Sequence, residues 1–474
     1  MANSIVEKMK RVLGRHKVYD DPAIVSLYAR EASGLHASEL PMAVVFAESA
    51  SDVSQLLRLA YRYEFKVFPQ GTSTSLSGSA VPLDRGVVLS LERMRRVKEI
   101  SVLDSVAVVE PGLRIDDLNL VLAKHGYMFP VDPASSAVAT IGGAINTGAG
   151  GMRGAKYGTM RDWVLMLQLV LPDQDGTVMR IGCRTVKCRQ GYDLVRLVVG
   201  SEGTLGVVTE ATLRITPLPE ESPTVLAFFS ELDDLVEVVK SIKGNAWQPL
   251  IMEFLDDDTV KIAKQFVNTD IDAEGHMLLV TMDTTRESRR RVMEQLISLL
   301  RENNAEKIYK ASSLEEAEKK QLLALRKSLF PAQVHYARKH LGGKGRIHVL
   351  IEDIAVPPSK LAEAVTELRR IEQEHGFKVL LGGHIGDGNL HPAIGYNIDD
   401  PEQVRKVEEW ALDVMRLAIK LGGTISAEHG IGVLKKQGLR MELESLGALK
   451  ALDIMRSIKS IFDPKNILNP GKVV

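Results

Sequence analysis

The sequence predicts an α+β protein of two or three domains, and three observations carry that prediction. The chain has 474 residues, more than one hydrophobic core usually organises. Its first half contains three long stretches of small residues beside strand-like runs, a pattern that lets backbone amides approach an anion closely. Between 225 and 425, apolar runs of strand length (VLAFF, LIMEFL, HMLLVTMD and IHVLIEDIAV) alternate with amphipathic helical stretches such as 287 to 302 and 359 to 373. Pro217, Pro219 and Pro223 mark the boundary between the two halves.

Composition excludes several classes of function. A hydrophobic content of 45% and a charged content of 26% are those of a soluble globular protein. A net charge of −1 leaves no basic footprint, so nucleic acid is not an expected partner. Cys183 and Cys188, five apart, form no CxxC pair and cannot ligate an iron–sulfur cluster unaided, which fits a reduced, cytoplasmic setting. The start MANSIVEKMKRVLG mixes charge with apolar residues and does not read as a signal peptide. No run reaches the length of a membrane span, so any membrane association is expected through a partner or the surface.

In chain order, residues 1 to 35 read as a lead-in of short helices with little chemistry. From Ser51, the positions Val53, Leu56, Leu57, Ala60 and Tyr61 have helical spacing, with Ser51 or Asp52 suited to cap the helix. KVFPQGTSTSLSGSAVP, 66 to 82, is a strand running into the first small-residue loop. PVDPASSAVATIGGAINTGAGGMRGAKYG, 130 to 158, is too long and glycine-dense for an ordinary connection, and GSEGTLGVVTEATLRI, 200 to 215, leads into an alternating strand. Three such cradles imply a large phosphate-bearing cofactor. No complete GxGxxG opens a helix and no GxxxxGK[ST] occurs, so neither the dinucleotide fingerprint nor the phosphate loop supports NAD or ATP.

The chemistry concentrates in GGHIGDGNLHPAIG, 382 to 395, and TISAEHGIG, 424 to 432. Gly386 and Gly388 would each cost a helix about 1 kcal/mol, so His384 and His391 belong to a hairpin whose strand ends bring both imidazoles to one ion. Glu428 would complete a two-histidine, one-carboxylate set, an open site for zinc, or for another divalent first-row metal such as iron or manganese. In an extended segment neighbours face opposite ways, so Glu428 could face the metal while His429 serves as a base. A histidine near glycines is more often an ordinary loop residue; four candidates in two short segments favour the functional reading.

PQGTSTSLSG, DPASSAVATIGGAINTGAGGMRGAKYG and GYDLVRLVVGSEGTLGVVTEATL resemble the FAD-binding domain of the vanillyl-alcohol oxidase type flavoproteins. HIGDGNLH, SAEHGIG and FDPKNILNPGK resemble the FAD-linked D-2-hydroxyacid dehydrogenase branch, which includes D-lactate dehydrogenases and the glycolate oxidase flavin subunit, and LRKSLFPA resembles the glycolate oxidase subunit group. The resemblance implies a two-subdomain FAD-binding domain over 36 to 217. It also implies an α/β cap with an antiparallel sheet over 218 to 439, covering the flavin's reactive face, and a tail from 440 to 474 that returns to the FAD domain. It places Gly71, Thr74, Ser77, Gly78, Gly142, Gly143 and Gly150 at the FAD pyrophosphate. Ser136, Glu202, Gly206 and Val207 fall along the rest of the cofactor, and Asn469 near the isoalloxazine. Ser73 and Ser75 stand where the family carries glycine, and Ala144 and Gly148 where it carries asparagine. The first loop lacks the histidine of relatives with attached flavin, implying FAD bound non-covalently.

The implied reaction is oxidation of a small D-2-hydroxy acid, D-lactate or glycolate favoured, to the 2-oxo acid. The metal on His384, His391 and Glu428 holds the substrate oxygens, His429 takes the hydroxyl proton and FAD takes the hydride. Arg326 matches the family's carboxylate-binding arginine, although composition alone would make it a surface helix residue. Asn389 is a second substrate contact, and Asp387 a structural neighbour. Ile351 occupies the position where relatives that oxidise dicarboxylates carry lysine, with Lys344 or Arg346 as stand-ins. Electrons are expected to leave to an iron–sulfur subunit, an electron-transfer flavoprotein or a quinone-linked protein, in a homodimer or hetero-oligomer. The competing readings are a dehydrogenase of the D-2-hydroxyglutarate type, a metal-dependent hydrolase, and a non-catalytic FAD-binding subunit.

Overall fold

The computed structural model describes residues 2–245, 247–272, 274–342 and 345–474. Lys344, one stand-in for a dicarboxylate lysine, lies outside them. The chain divides into two compact units. One comprises Met1–Gly150, Thr159–Leu218 and Glu428–Val474; the other comprises Gly151–Gly158 and Pro219–Ala427.

The first unit contains two principal sheets. In one, Ala43–Phe46, Val87–Ser90 and Val67–Gln70 run parallel, and Val18–Tyr19 adds antiparallel at the edge. The helix Ala50–Tyr63 connects two of these strands and buries Val53, Leu56, Leu57 and Ala60, the face read from the sequence. Its cap is Ser49, whose hydroxyl accepts from the Asp52 amide, and neither Ser51 nor Asp52 caps it. Asp52 instead pairs with Lys17 at 2.8 Å. The second sheet is antiparallel, in the order Val97–Ser101, Val106–Val109, Val207–Arg214, Val164–Val170, Val178–Gly182.

Three sequence expectations change here. Residues 1 to 35 are no lead-in: Val6, Met9 and Leu13 enter the core and Val18–Tyr19 enters a sheet, because the apolar stripe of the helix Ala2–Leu13 needs a partner. The long glycine-dense stretch is partly helical over Ile141–Thr147, capped by the Thr140 hydroxyl on the Gly143 amide. Cys183 and Cys188, expected reduced, are joined in a disulfide, since the turn between them brings their Cα atoms to 5.8 Å.

The second unit is built on an eight-stranded antiparallel sheet. Its order is Lys307–Ala311, Thr224–Phe229, His276–Met282, Pro249–Leu255, Leu380–His384, Asn389–Asn397 and Ile347–Ile351, with Ile354–Ala355 also pairing Asn389–Asn397. Strands buried on both faces read as unbroken apolar runs, which explains VLAFF and HMLLVTMD. One face packs Met252, Phe254, Leu381 and Ile394 under the helices Leu361–His375 and Pro401–Lys420, including Trp410. The other packs Ile251, Leu255 and Leu279 against Leu325, Leu329 and Ala332.

The return to the first unit comes at Glu428, not at 440, and Gly151–Gly158 joins the second unit. The Ile431 and Gly432 amides donate to Glu202, and the Val433 and Leu434 amides to the Ser77 carbonyl, which ties this segment to the first unit.

Candidate functional site

In the second unit, the predicted hairpin forms from Leu380–His384 and Asn389–Asn397, closing over 385–388. Gly382 pairs with His391 and His384 with Asn389, so alternation puts His384, Asn389 and His391 on one face. The two imidazoles meet edge to face with centroids 5.2 Å apart, and both are buried.

Carboxylates stand behind both histidines. Glu253, fully buried on the neighbouring strand, accepts from His384 Nδ1 at 2.7 Å through Oε1. Its Oε2 accepts from Arg326 Nε at 2.5 Å. With the Nδ1 proton given to Glu253, the lone pair of His384 lies on Nε2, the tautomer of a metal ligand. Asp353 Oδ1 lies 3.7 Å from His391 Nδ1, and its Oδ2 is held by the Ala427 amide at 2.9 Å. Two buried imidazoles with centroids 5.2 Å apart, one hydrogen-bonded to a carboxylate and the other 3.7 Å from one, are donors that suit a divalent metal.

Arg326 is not the surface residue that composition suggested. It is 7% exposed, and no acceptor among the described residues takes its Nη groups. A buried guanidinium fixed through Nε keeps its bidentate edge for a carboxylate ligand. Asn389, expected to contact substrate, has its side-chain donors committed within the protein. Its Nδ2 donates to Asp353 Oδ1 and to the Ile354 carbonyl, both at 2.9 Å, so both donor hydrogens are consumed in orienting Asp353. Asp387 Oδ1 accepts from the Asn389 amide, as a structural neighbour would. Arg346 is spent on Asp399 at the surface.

In the first unit, the loop after Val67–Gln70 has the character of an anion cradle. No acceptor among the described residues takes the backbone N–H of Thr72, Ser73, Thr74, Ser75 or Leu76. Ser73 holds φ +54°, the left-handed conformation for which the family's glycine is suited. At Gly71 a Cβ would lie 2.2 Å from Thr140 Oγ1, so only glycine admits this approach between the first and second small-residue stretches. Gly142 and Gly143 open the helix Ile141–Thr147, and Ser136 lies in the turns before it. Gly206 and Val207 lead into the strand Val207–Arg214, and Gly206 is not crowded by protein. Free amides brought together by the turns fit a pyrophosphate.

Behind this cradle lies a buried polar web. Glu31 accepts from the Gly78 and Ala80 amides at 2.5 and 2.8 Å. Lys472 donates to the Gly78 and Val81 carbonyls. Asn469 Nδ2 donates to the Ser79 and Glu202 carbonyls, while its buried Oδ1 has no partner among the described residues. Burial pushes the Glu202 carboxyl up to about 7 against the opposing hydrogen bonds from Ile431 and Gly432. Burial likewise brings Lys472 down to about 8.

Glu428 and His429 fall in the first unit, in a bend over 427–429, so the extended geometry expected of them is replaced by a turn. Glu428 Oε2 lies where a Cβ on Gly150 would reach it at 2.6 Å, and Glu428 Oε1 is 3.9 Å from His429 Nε2. Glu253, Asp353, Glu31 and Lys472 were not singled out from the sequence. The available signal was a charged residue inside an apolar run, Glu253 in LIMEFL and Asp353 in IEDIAV.

Comparison with known proteins agrees with both units. A family model described as FAD binding domain matches residues 41–182, and one described as FAD linked oxidases, C-terminal domain, matches 218–473. Glycolate oxidase subunit GlcD of Bacillus subtilis is 33% identical over 476 residues, covering 100% of this chain and 97% of that protein. A D-lactate dehydrogenase of Archaeoglobus fulgidus is 35% identical over 436 residues, 91% of each chain. Among solved structures, p-cresol methylhydroxylase with substrate bound superposes with TM-score 0.78 at 18% identity, over 99% of this chain and 96% of that one, a likeness of fold.

Proposed function

We propose, for a chain that belongs to the FAD linked oxidase family, that this FAD-dependent oxidoreductase converts a small D-2-hydroxy acid to its 2-oxo acid, with D-lactate and glycolate the favoured substrates. One observation carries the substrate class: fully buried Glu253 holds Arg326 and His384 at once, coupling a carboxylate-binding cation to a metal-binding imidazole. Arg326 would take the substrate carboxylate. His384 and His391 would hold a divalent metal, zinc favoured, with Glu253 and Asp353 orienting the rings.

When bound, the metal polarises the substrate hydroxyl and non-covalent FAD accepts the hydride. His429 would remove the hydroxyl proton, and Glu428 would be the third metal ligand; for these two the support is the sequence pattern SAEHGIG. The substrate would lose one hydride, to the flavin, and one proton, to His429, and leave as the 2-oxo acid. With both cysteines in a disulfide, no thiolate set remains for an iron–sulfur cluster, so the electrons would pass to a partner protein. Ile351, in the place of a lysine for dicarboxylates, supports a monocarboxylate.

The test is the visible spectrum of the purified protein before and after anaerobic addition of D-lactate, glycolate and D-2-hydroxyglutarate in separate cuvettes. Bleaching of the flavin by D-lactate or glycolate supports the reading. Bleaching by D-2-hydroxyglutarate far above the others replaces the substrate. A flavin bleached by none supports a subunit that only binds FAD.

A further inference from the structure

The helix Leu329–His340 lies over the face of the hairpin that carries His384 and His391. Two contacts fix its placement. Leu329 packs where a Cβ on Gly382, the partner of His391, would be, at 3.1 Å, and Ala337 lies 2.4 Å from a Cβ position on Gly395. The helix therefore runs along the strand from His391 towards Gly395. Eight helical residues rise about 12 Å and four strand residues about 13 Å, so the two stay in step.

Gln333 is midway on that helix face, one turn from Leu329 and one from Ala337. It stands opposite Ala393, two residues along the strand from His391. Ala393 pairs with Ile351, so the strand surface at this register is aliphatic. Gln333 is only 2% exposed, and neither Nε2 nor Oε1 has a hydrogen-bond partner among the described residues. A buried amide left unpaired is costly, and this one lies one turn along the helix from Leu329, which packs on the partner of His391, and one helix on from Arg326.

We propose that Gln333 is a substrate-binding residue whose amide hydrogen-bonds a carboxylate or hydroxyl oxygen of a small monocarboxylic 2-hydroxy acid held at the His384, His391 and Arg326 face. The inference rests on the functional reading above and names the residue that completes its substrate shell. Arg326 supplies the charge, and Gln333 supplies a neutral donor and acceptor from the next helix. A neutral amide among Ala393 and Ile351 offers no ion pair to a second carboxylate, which selects short substrates over dicarboxylates.

The experiment compares wild type with Gln333→Leu and Gln333→Met, which keep the volume and remove both polar atoms. With D-lactate or glycolate, whichever reduces the wild-type flavin, KM is expected to rise about 10- to 100-fold in both variants while kcat stays within about threefold. Flavin content is expected to be unchanged and the melting temperature equal or higher, because an unpaired buried amide has been replaced by an apolar group. If KM stays within about twofold of wild type, Gln333 is a misfit core amide and the proposal fails.

Should no 2-hydroxy acid reduce wild type, the functional reading falls, and pyruvate titration decides Gln333 separately. A pyruvate-induced shift in melting temperature or flavin spectrum that is present in wild type and lost in both variants supports the residue's role. An equal shift in all three proteins, or none in wild type, overturns it. If Gln333→Leu does not fold, Gln333→Met carries both readouts.

Discussion

Glu253→Gln is the perturbation that most directly probes the centre of the second unit. The carboxylate is fully buried and divides its oxygens between Arg326 Nε at 2.5 Å and His384 Nδ1 at 2.7 Å. Glutamine keeps the shape but presents one oxygen and one NH2 group to two donors, so one hydrogen bond must be lost. A charge-assisted hydrogen bond contributes about 1.5–3 kcal/mol, and uncovering a buried guanidinium by removing its partner costs about 3–5 kcal/mol. The two terms overlap, and we predict destabilisation of about 3 kcal/mol, a fall of roughly 6–12 °C in melting temperature for a unit of about 200 residues. His384 also loses the carboxylate that sets its tautomer, which weakens metal binding about 10- to 100-fold. The assays are thermal melting, chelator competition and steady-state turnover. If Glu253→Gln melts within about 1 °C of wild type and keeps its metal affinity, the shared carboxylate does not organise this site.

Gly71→Ala drives a methyl against Thr140 Oγ1, where only 2.2 Å is available, and is predicted to yield protein with little flavin, read as the ratio of visible to ultraviolet absorbance. Glu202 has a raised carboxyl, about 7 in the folded state against 4.5, with burial the largest cause. Its contribution to stability is therefore complete below about 4.5 and lost as pH rises through 7, and Glu202→Gln should flatten the decline of melting temperature across that window. Glu31, also raised by burial, preserves part of the slope, whereas Lys472, at about 8 and lowered by burial, acts at higher pH. Dialysis against a strong chelator should abolish substrate bleaching while leaving FAD bound, and zinc, manganese or ferrous iron added back one at a time should identify the metal that restores it; bleaching that survives chelation would sink the metal's role.

Much of both units was legible where the signals are local. The hairpin follows from glycines that exclude a helix and from apolar runs on either side, and strands 380–384 and 389–397 bracket that loop. The helix face Val53, Leu56, Leu57 and Ala60 follows from 3.6-residue spacing. Its cap is Ser49 where the sequence offers Ser51 or Asp52, because serines 49 and 51 are chemically equivalent at that helix start and only the chain's entry angle chooses between them. Arg326 shows the opposite limit. Its neighbours in LRKS read as a surface helix, and its burial follows from a carboxylate 73 positions earlier in the sequence.

Residue types and their spacing by themselves determined the α+β class, the three small-residue stretches and the histidine hairpin, because each depends on backbone conformation or on patterns within about 20 neighbouring residues, and the motifs in those stretches carried the resemblance to the family. Tertiary structure alone decided that Glu253 serves Arg326 and His384 together, that Asn389 spends its amide on Asp353, that Glu31 and Lys472 brace the loop at Gly78, and that Gln333 is buried without a hydrogen-bond partner among the described residues. These are contacts between side chains from distant strands, helices and turns. Their energy depends on burial and on the distance between partners, and neither is defined until the sheets have packed.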